Sequence, residues 1–206
     1  MNRLPAPLLV ITDRHQASLP IDEIAEAVGR GGGRWLMLRD KDLAAAERAC
    51  LAAKVAAIAG RHGMHLSISA DAGLAAELGA SIHVQDAAEV RAARQRCGAR
   101  AVIGVSAHGQ EEAAAAAAAG CDYVTLSPIF PTISKPGYGP ALGVAAIARA
   151  AKLGVPVIAL GGIAADAIGP CFGAGASGIA VMGEVMRSSD PCRTVANLVA
   201  LCNTET

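Results

Sequence analysis

One rhythm limits what this chain can fold into more than any other feature. A short apolar run rich in Val, Ile and Leu is followed by a polar or Gly turn and then by an Ala-rich helical pattern, eight times over. The predicted strands are Leu8–Thr12, Trp35–Leu38, Leu66–Ser69, Ile82–Val84, Val102–Val105, Tyr123–Leu126, Val157–Leu160 and Gly178–Val181. They lack strict apolar/polar alternation, which predicts cover on both faces. The predicted helices are Ile21–Gly29, Leu43–Arg61, Ala72–Leu78, Ala87–Cys97, Gln110–Ala119, Gly143–Lys152, Ala164–Phe172 and Pro191–Cys202. Gly63, Gly79, Gly98, Gly120, Gly154 and Gly173 stand just past the last periodic residue, the expected helix stop.

Eight such units in 206 residues, roughly 26 residues each, are compact for a (β/α)8 barrel, whose usual total is about 250. The alternative is a doubly wound open sheet, which has fewer strands and a Gly-rich phosphate turn after the first one. Here the first turn is Thr12-Asp13-Arg14-His15. The expectation is therefore an α/β fold, a single-domain (β/α)8 TIM barrel over residues 1–206.

Composition narrows the function classes. Eighteen basic side chains balance eighteen acidic ones, and no basic block argues for nucleic acid. Aromatics make up 2% of the chain, so stacking platforms for bases are few. The alanine run Ala113–Ala119 lies beside Glu111 and Glu112 and is too weakly apolar for a membrane span. With no signal-peptide core, a cytoplasmic protein is expected. The six cysteines form no CxxC pair and read as small buried hydrophobes.

In a barrel, chemistry gathers where strands end. Those ends carry Asp13-Arg14, Arg39-Asp40-Lys41, Ser69-Ala70-Asp71, His83 with Gln85-Asp86, Ser106-Ala107-His108, Gly161-Gly162 and Met182-Gly183-Glu184. The longest irregular stretch, Ser127–Leu142, follows strand six and holds Thr132, Ser134 and Lys135. Long βα loops are usually functional. The Gly161-Gly162 and Gly183 turns can bring backbone N–H groups against an anion, the usual phosphate position in this architecture. With Arg39, Lys41 and Lys135 nearby, the expected ligand is a small phosphorylated molecule. Plainer readings stand beside these. Arg39 can be a rim ion pair with Asp13 or Asp40, Lys41 a solvated charge, and Gly161-Gly162 simple turn chemistry. His83 can be a hydrogen-bonded core histidine. Trp35 and Met37 read as packing residues.

From end to end the chain resembles the thiamine phosphate synthase/TenI family. The motifs that carry the resemblance are Ile11-Thr12-Asp13, Leu38-Arg39-Asp40-Lys41, Ile103-Gly104-Val105-Ser106-Ala107-His108 and Asp122-Tyr123-Val124. Ser127-Pro128-Ile129-Phe130-Pro131-Thr132-Ile133-Ser134-Lys135 is the strongest, followed by Pro156–Ile163 and Gly178–Met182. The resemblance implies a barrel that binds a thiazole phosphate. In the synthases an aminopyrimidine diphosphate loses pyrophosphate with Mg²⁺ assistance, and the thiazole nitrogen attacks the resulting cation. Carried over by position, Arg39, Lys41 and Lys135 would hold the diphosphate, and Ser106 and His83 would lie near the pyrimidine. Thr132 and Ser134 would approach the thiazole carboxylate or phosphate, while Gly162, Met182 and Gly183 would line the phosphate site. Barrels of this family often dimerise, so a homodimer is carried as an expectation.

The departures bear on the reaction. Met37 stands where a synthase has Gln, and Ser69-Ala70-Asp71 where it has Asn-Asp-Arg, so Ala70 replaces the principal Mg²⁺ carboxylate. His83-Val84-Gln85-Asp86 is shorter than the synthase His-Leu-Gly-Gln-Glu-Asp. Mg²⁺ normally takes one or two carboxylates beside substrate phosphates. The resemblance therefore favours a TenI-type thiazole tautomerase, a proton-transfer isomerase without a cofactor, with His108 as acid/base because its pKa lies near working pH. A Mg²⁺-dependent transferase is the alternative, with Asp71 or Asp86 as the available metal ligands. A non-catalytic phosphate-ligand-binding regulator is the third reading.

Overall fold

The computed structural model describes residues 4–132 and 140–205. Eight strands, β1 (Leu8–Ile11), β2 (Trp35–Leu38), β3 (His65–Ser69), β4 (Ser81–Val84), β5 (Ile103–Ala107), β6 (Tyr123–Leu126), β7 (Val157–Leu160) and β8 (Gly178–Val181), pair in parallel and in chain order. The sheet closes on itself where Leu9 faces Ala180. Helices α1 (Ile21–Arg30), α2 (Ala45–His62), α3 (Ala72–Glu77), α4 (Val90–Cys97), α5 (Gln110–Ala118), α6 (Val144–Ala150), α7 (Ile168–Gly173) and α9 (Pro191–Thr204) follow the strands in turn. A short helix α8 (Gly183–Met186) intervenes between β8 and α9. The barrel expected from the eightfold rhythm is what forms.

Two apolar layers account for the missing alternation. Leu8, Val10, Leu36 and Leu38 point outward and pack with Ile24, Val28, Val55 and Ile58 of the surrounding helices. Leu9, Ile11, Trp35, Met37, Tyr123, Ile158 and Ala180 form a separate cluster inside the barrel. Side-chain direction still alternates along each strand; burial does not, because helices cover the outside and side chains fill the inside. Trp35 and Met37 are packing residues, 0% and 2% exposed. Trp35 meets Tyr123 edge to face at 4.9 Å, an arrangement worth about 1 kcal/mol beyond the area it buries.

The predicted helices are right in place and too long in several cases. Ala87–Glu89, Ala151–Leu153 and Ala165–Ala167 are 3₁₀ turns that lead into or out of an α-helix. Apolar periodicity does not separate a tight turn from a helical one. The α8 turn was read only as the end of a strand, since four residues carry no period. The cysteines are less uniform than expected: Cys121, Cys171 and Cys202 are buried, Cys97 and Cys192 half-buried, and Cys50 exposed. Cys50 lies on the solvent side of α2, where the helical stripe turns outward. Among the described residues no helix is long and apolar enough to cross a membrane.

The interior has room for its rings because Gly104 on β5 has no side chain. A Cβ there would overlap the Tyr123 phenol and lie 2.5 Å from Nδ1 of His83. Gly104→Ala is expected to destabilise the fold by about 1–3 kcal/mol through overpacking. Urea unfolding should show a lower midpoint at unchanged slope.

Candidate functional site

The ends of β1 and β2 are tied together by a buried carboxylate. Thr12 Oγ1 donates to Asp40 Oδ2 at 2.5 Å, and the Arg14 N–H donates to Asp40 Oδ1 at 2.7 Å. The Arg39 N–H in turn donates to Thr12 Oγ1 at 2.9 Å. Asp40 is 2% exposed, so both its oxygens are satisfied by protein donors, as a buried charge requires. The Arg39-Asp40-Lys41 run therefore divides its work. Asp40 anchors the turn, and the flanking cations stand at the barrel mouth. Arg39 Nη1 lies 3.7 Å from Asp13 Oδ2, a loose contact that leaves the guanidinium lining a cavity.

That cavity, about 330 Å³, opens at the C-terminal end of the strands. One wall is Gly161, Gly162, Ile163 and Ala164 after β7, and another is Met182, Gly183 and Glu184 after β8. Ser127, Pro128, Pro131 and Thr132 form a third, and Arg39 and Arg187 supply charge. Gly161 and Gly162 have φ of +97° and +63°, a region that side chains rarely enter. A Cβ on Gly162 would also overlap the Pro131 carbonyl oxygen and stand 2.8 Å from that of Phe130. The loop is held against this turn by Ile129 N–H to Leu160 O at 2.9 Å and Phe130 N–H to Gly161 O at 3.0 Å. A second, shallower depression is lined by Asp13, His15, Gln16, Arg39, Lys41, Asp42 and Arg187.

Of the residues expected at the site, the structure brings Arg39, Thr132, Gly161, Gly162, Met182 and Gly183 to one cavity and Lys41 to the neighbouring depression. Ser134 and Lys135 lie outside the described residues. His108 is not among the cavity's described lining residues. After β5 the chain turns at Gly109 into α5, and His108 is drawn to Glu112 one helical turn on. Its N–H and Nδ1 meet Glu112 Oε2 at 2.8 and 2.9 Å. His83 and Ser106 are also absent from that lining. His83 is buried inside the barrel, with Nδ1 3.1 Å from the Tyr123 hydroxyl and Nε2 3.0 Å from Ser106 Oγ. Burial pushes its pKa down to about 4, so it is neutral near pH 7 and belongs to a polar thread through the core. Trp35 Nε1 donates to Ser67 Oγ at 3.0 Å at the far end of that thread. Arg187 was missed by sequence reasoning. The available signal was a cation four residues past Gly183, one turn along whatever helix followed strand eight.

The two carboxylates expected as metal ligands, Asp71 and Asp86, are engaged elsewhere. Ala70 offers no carboxylate. Asp71 Oδ1 accepts the Leu74 N–H at 2.9 Å and caps α3, while its Oδ2 lies 3.3 Å from Arg48 Nη1. Arg48 is itself buried, and its Nη2 donates to Ser69 O at 2.5 Å. Asp86 caps the turn before α4 through the Ala88 N–H at 2.8 Å. Among the described residues no three carboxylate, imidazole or thiol groups come together as a ligand set.

Comparison with known proteins supplies a context for this mouth. A family model described as thiamine monophosphate synthase matches residues 8–185. A thiamine-phosphate synthase of Chlorobium luteolum is 38% identical over 209 residues, covering 99% of this chain and 97% of its own length. One of Chromobacterium violaceum is 39% identical over 170 residues, covering 81% of this chain and 82% of its own length. Among solved structures, a thiamine phosphate pyrophosphorylase from Pyrococcus furiosus superposes with a TM-score of 0.86 over 98% of this chain and 97% of that one. At 23% identity that likeness shows the fold.

The buried His83 carries a pH signature. Its folded pKa lies below the ordinary 6.5, so the unfolded chain binds the extra proton first. The stability it contributes is present above about pH 6.5 and is lost as pH falls toward 4, on the order of 3 kcal/mol in full. Burial lowers the half-buried His65 in the same direction. Thermal melts between pH 7 and 4 should show this decline, and His83→Asn should flatten it.

Proposed function

We propose, given that this chain belongs to the thiamine monophosphate synthase family, that its mouth binds a thiazole phosphate and joins an aminopyrimidine diphosphate to it. The bond between the pyrimidine methylene carbon and the diphosphate oxygen breaks, and its electron pair leaves with pyrophosphate. The thiazole nitrogen forms the new bond to that carbon. The observation that carries the reading is the pairing of two glycine-containing turns, after β7 and β8, on one cavity beside Arg39. The opening N–H groups of a turn have no partner within it and suit a phosphate. The names of relatives that match over most of this chain support transfer chemistry.

The family's synthases use Mg²⁺, and Asp71 and Asp86, the carboxylates expected to hold it, are spent on capping the turns that follow β3 and β4, so no step here is assigned to it. This observation favours a second reading, the metal-free aromatisation of a thiazole carboxylate phosphate by proton transfer. Such chemistry needs an acid/base near the ring, and His108 beside Glu112 is outside the cavity lining. The neutral, hydrogen-bonded His83 is no closer to that role. Transfer therefore remains the preferred reaction.

The test is an assay of purified protein with both substrates, in Mg²⁺ and in EDTA, following thiamine phosphate formation. Product at an ordinary enzyme rate is expected. No product, with conversion of the non-aromatic thiazole tautomer instead, would establish the isomerase. Binding of the thiazole phosphate with neither reaction would establish a ligand-binding regulator. Gly162→Ala, which forces a Cβ into the Pro131 and Phe130 carbonyls, is expected to weaken thiazole phosphate binding by about tenfold or more in calorimetry.

A further inference from the structure

The two depressions at the mouth have Arg39 and Arg187 in common, and no other described residue. The two arginines thus form the divide between a cavity suited to one phosphate and a groove that also holds Lys41. Arg187 is exposed and bonded to the β1 loop. Its guanidinium folds back over Gly183, where a Cβ would stand 2.6 Å from its Cζ, and Nη1 donates to Gln16 Oε1 on the β1 loop. The cavity-forming turn after β8 is thereby bridged to the segment that carries Asp13 and Gln16.

Of the carboxylates in the groove, Asp42 is engaged away from the two arginines, and Asp13 touches Arg39 only at 3.7 Å. Asp42 Oδ2 lies 2.6 Å from Arg14 Nη2 and 2.7 Å from His15 Nε2. Asp13 accepts the His15 N–H at 3.1 Å and Gln16 Nε2 at 2.8 Å. Asp71, the carboxylate next to Ala70, is committed to Arg48 and to the α3 cap.

We propose that Arg187, together with Arg39, binds the diphosphate of the second substrate directly, in the role that a divalent cation plays in relatives. The inference rests on the transferase reading above and deepens it. A guanidinium is charged at all working pH values and matches phosphate oxygens in a planar fork. Two of them facing the leaving group stabilise the charge that builds on it as the C–O bond breaks, without a metal-ligand set. Lys41 adds a point charge at the outer end of the groove.

The test uses inorganic pyrophosphate as the probe and calorimetric binding as the readout, so turnover is not required. Wild-type protein is expected to bind pyrophosphate in EDTA, with an affinity that Mg²⁺ changes by less than about threefold. Arg187→Gln should weaken that binding by about tenfold or more, and Arg187→Lys, which keeps the charge and loses the fork, by an intermediate amount. Both side chains are exposed at this position, and unchanged melting temperatures would confirm that the fold is intact. Binding that appears only with Mg²⁺, or an Arg187→Gln protein that binds as tightly as wild type, overturns the inference. A chain that binds pyrophosphate in EDTA through Arg187 yet forms no thiamine phosphate supports the arginine site and overturns the transferase reading alone.

Discussion

The packing of Tyr123 into the space left by Gly104 underlies the rest of the structure. A closed sheet of eight parallel strands encloses a volume that side chains must fill, and this chain has few rings with which to fill it. Trp35 from β2 and Tyr123 from β6 meet edge to face across the interior. The Tyr123 hydroxyl then reaches His83, and His83 reaches Ser106 near the mouth. The Cβ-free stretch of β5 lets the phenol approach that strand. The interior thus combines an apolar cluster with a hydrogen-bonded thread, in which each of these buried polar groups has a partner. The neutral state of His83 follows from the same burial.

That scaffold delivers the strand ends to one rim, where backbone constraints choose which residues face a ligand. Asp40 illustrates the point. In the sequence it is an acid between two cations, but its carboxylate is used up by Thr12 and Arg14, which leaves Arg39 and Lys41 for the mouth. Asp71 follows the same logic on β3, spent on a helix cap and on the buried Arg48. Asp40 and Asp71 are thus consumed as structural anchors, while Arg39, Lys41 and Arg187 line the rim beside Asp13, Asp42 and Glu184.

Strand and helix positions were legible because period-free apolar runs and Gly stops repeat eight times, and local chemistry suffices to mark them. The glycine turns after β7 and β8 were legible for a related reason: Gly161-Gly162 has few local explanations other than a left-handed turn. His108, expected as the acid/base, is not among the described lining residues of the cavity. Its place after a strand is correct, but a carboxylate four residues further on turns the ring aside, and that competition depends on the exact exit of β5. Arg187 was overlooked because it shares a cavity with Arg39, 148 positions away, and no local spacing encodes that.

The sequence alone determined the architecture and marked the glycine turns and cations of the mouth. Both follow from short-range patterns, strand and helix periodicity on one hand and paired glycines beside cations on the other. The tertiary structure decided which charged groups remain available at the mouth. Thr12, Asp40, Asp71 and Arg48 are drawn into anchoring bonds only once the barrel closes, because each partner arrives from a different strand or helix. Arg39, after β2, and Arg187, after β8, then line one cavity at the mouth.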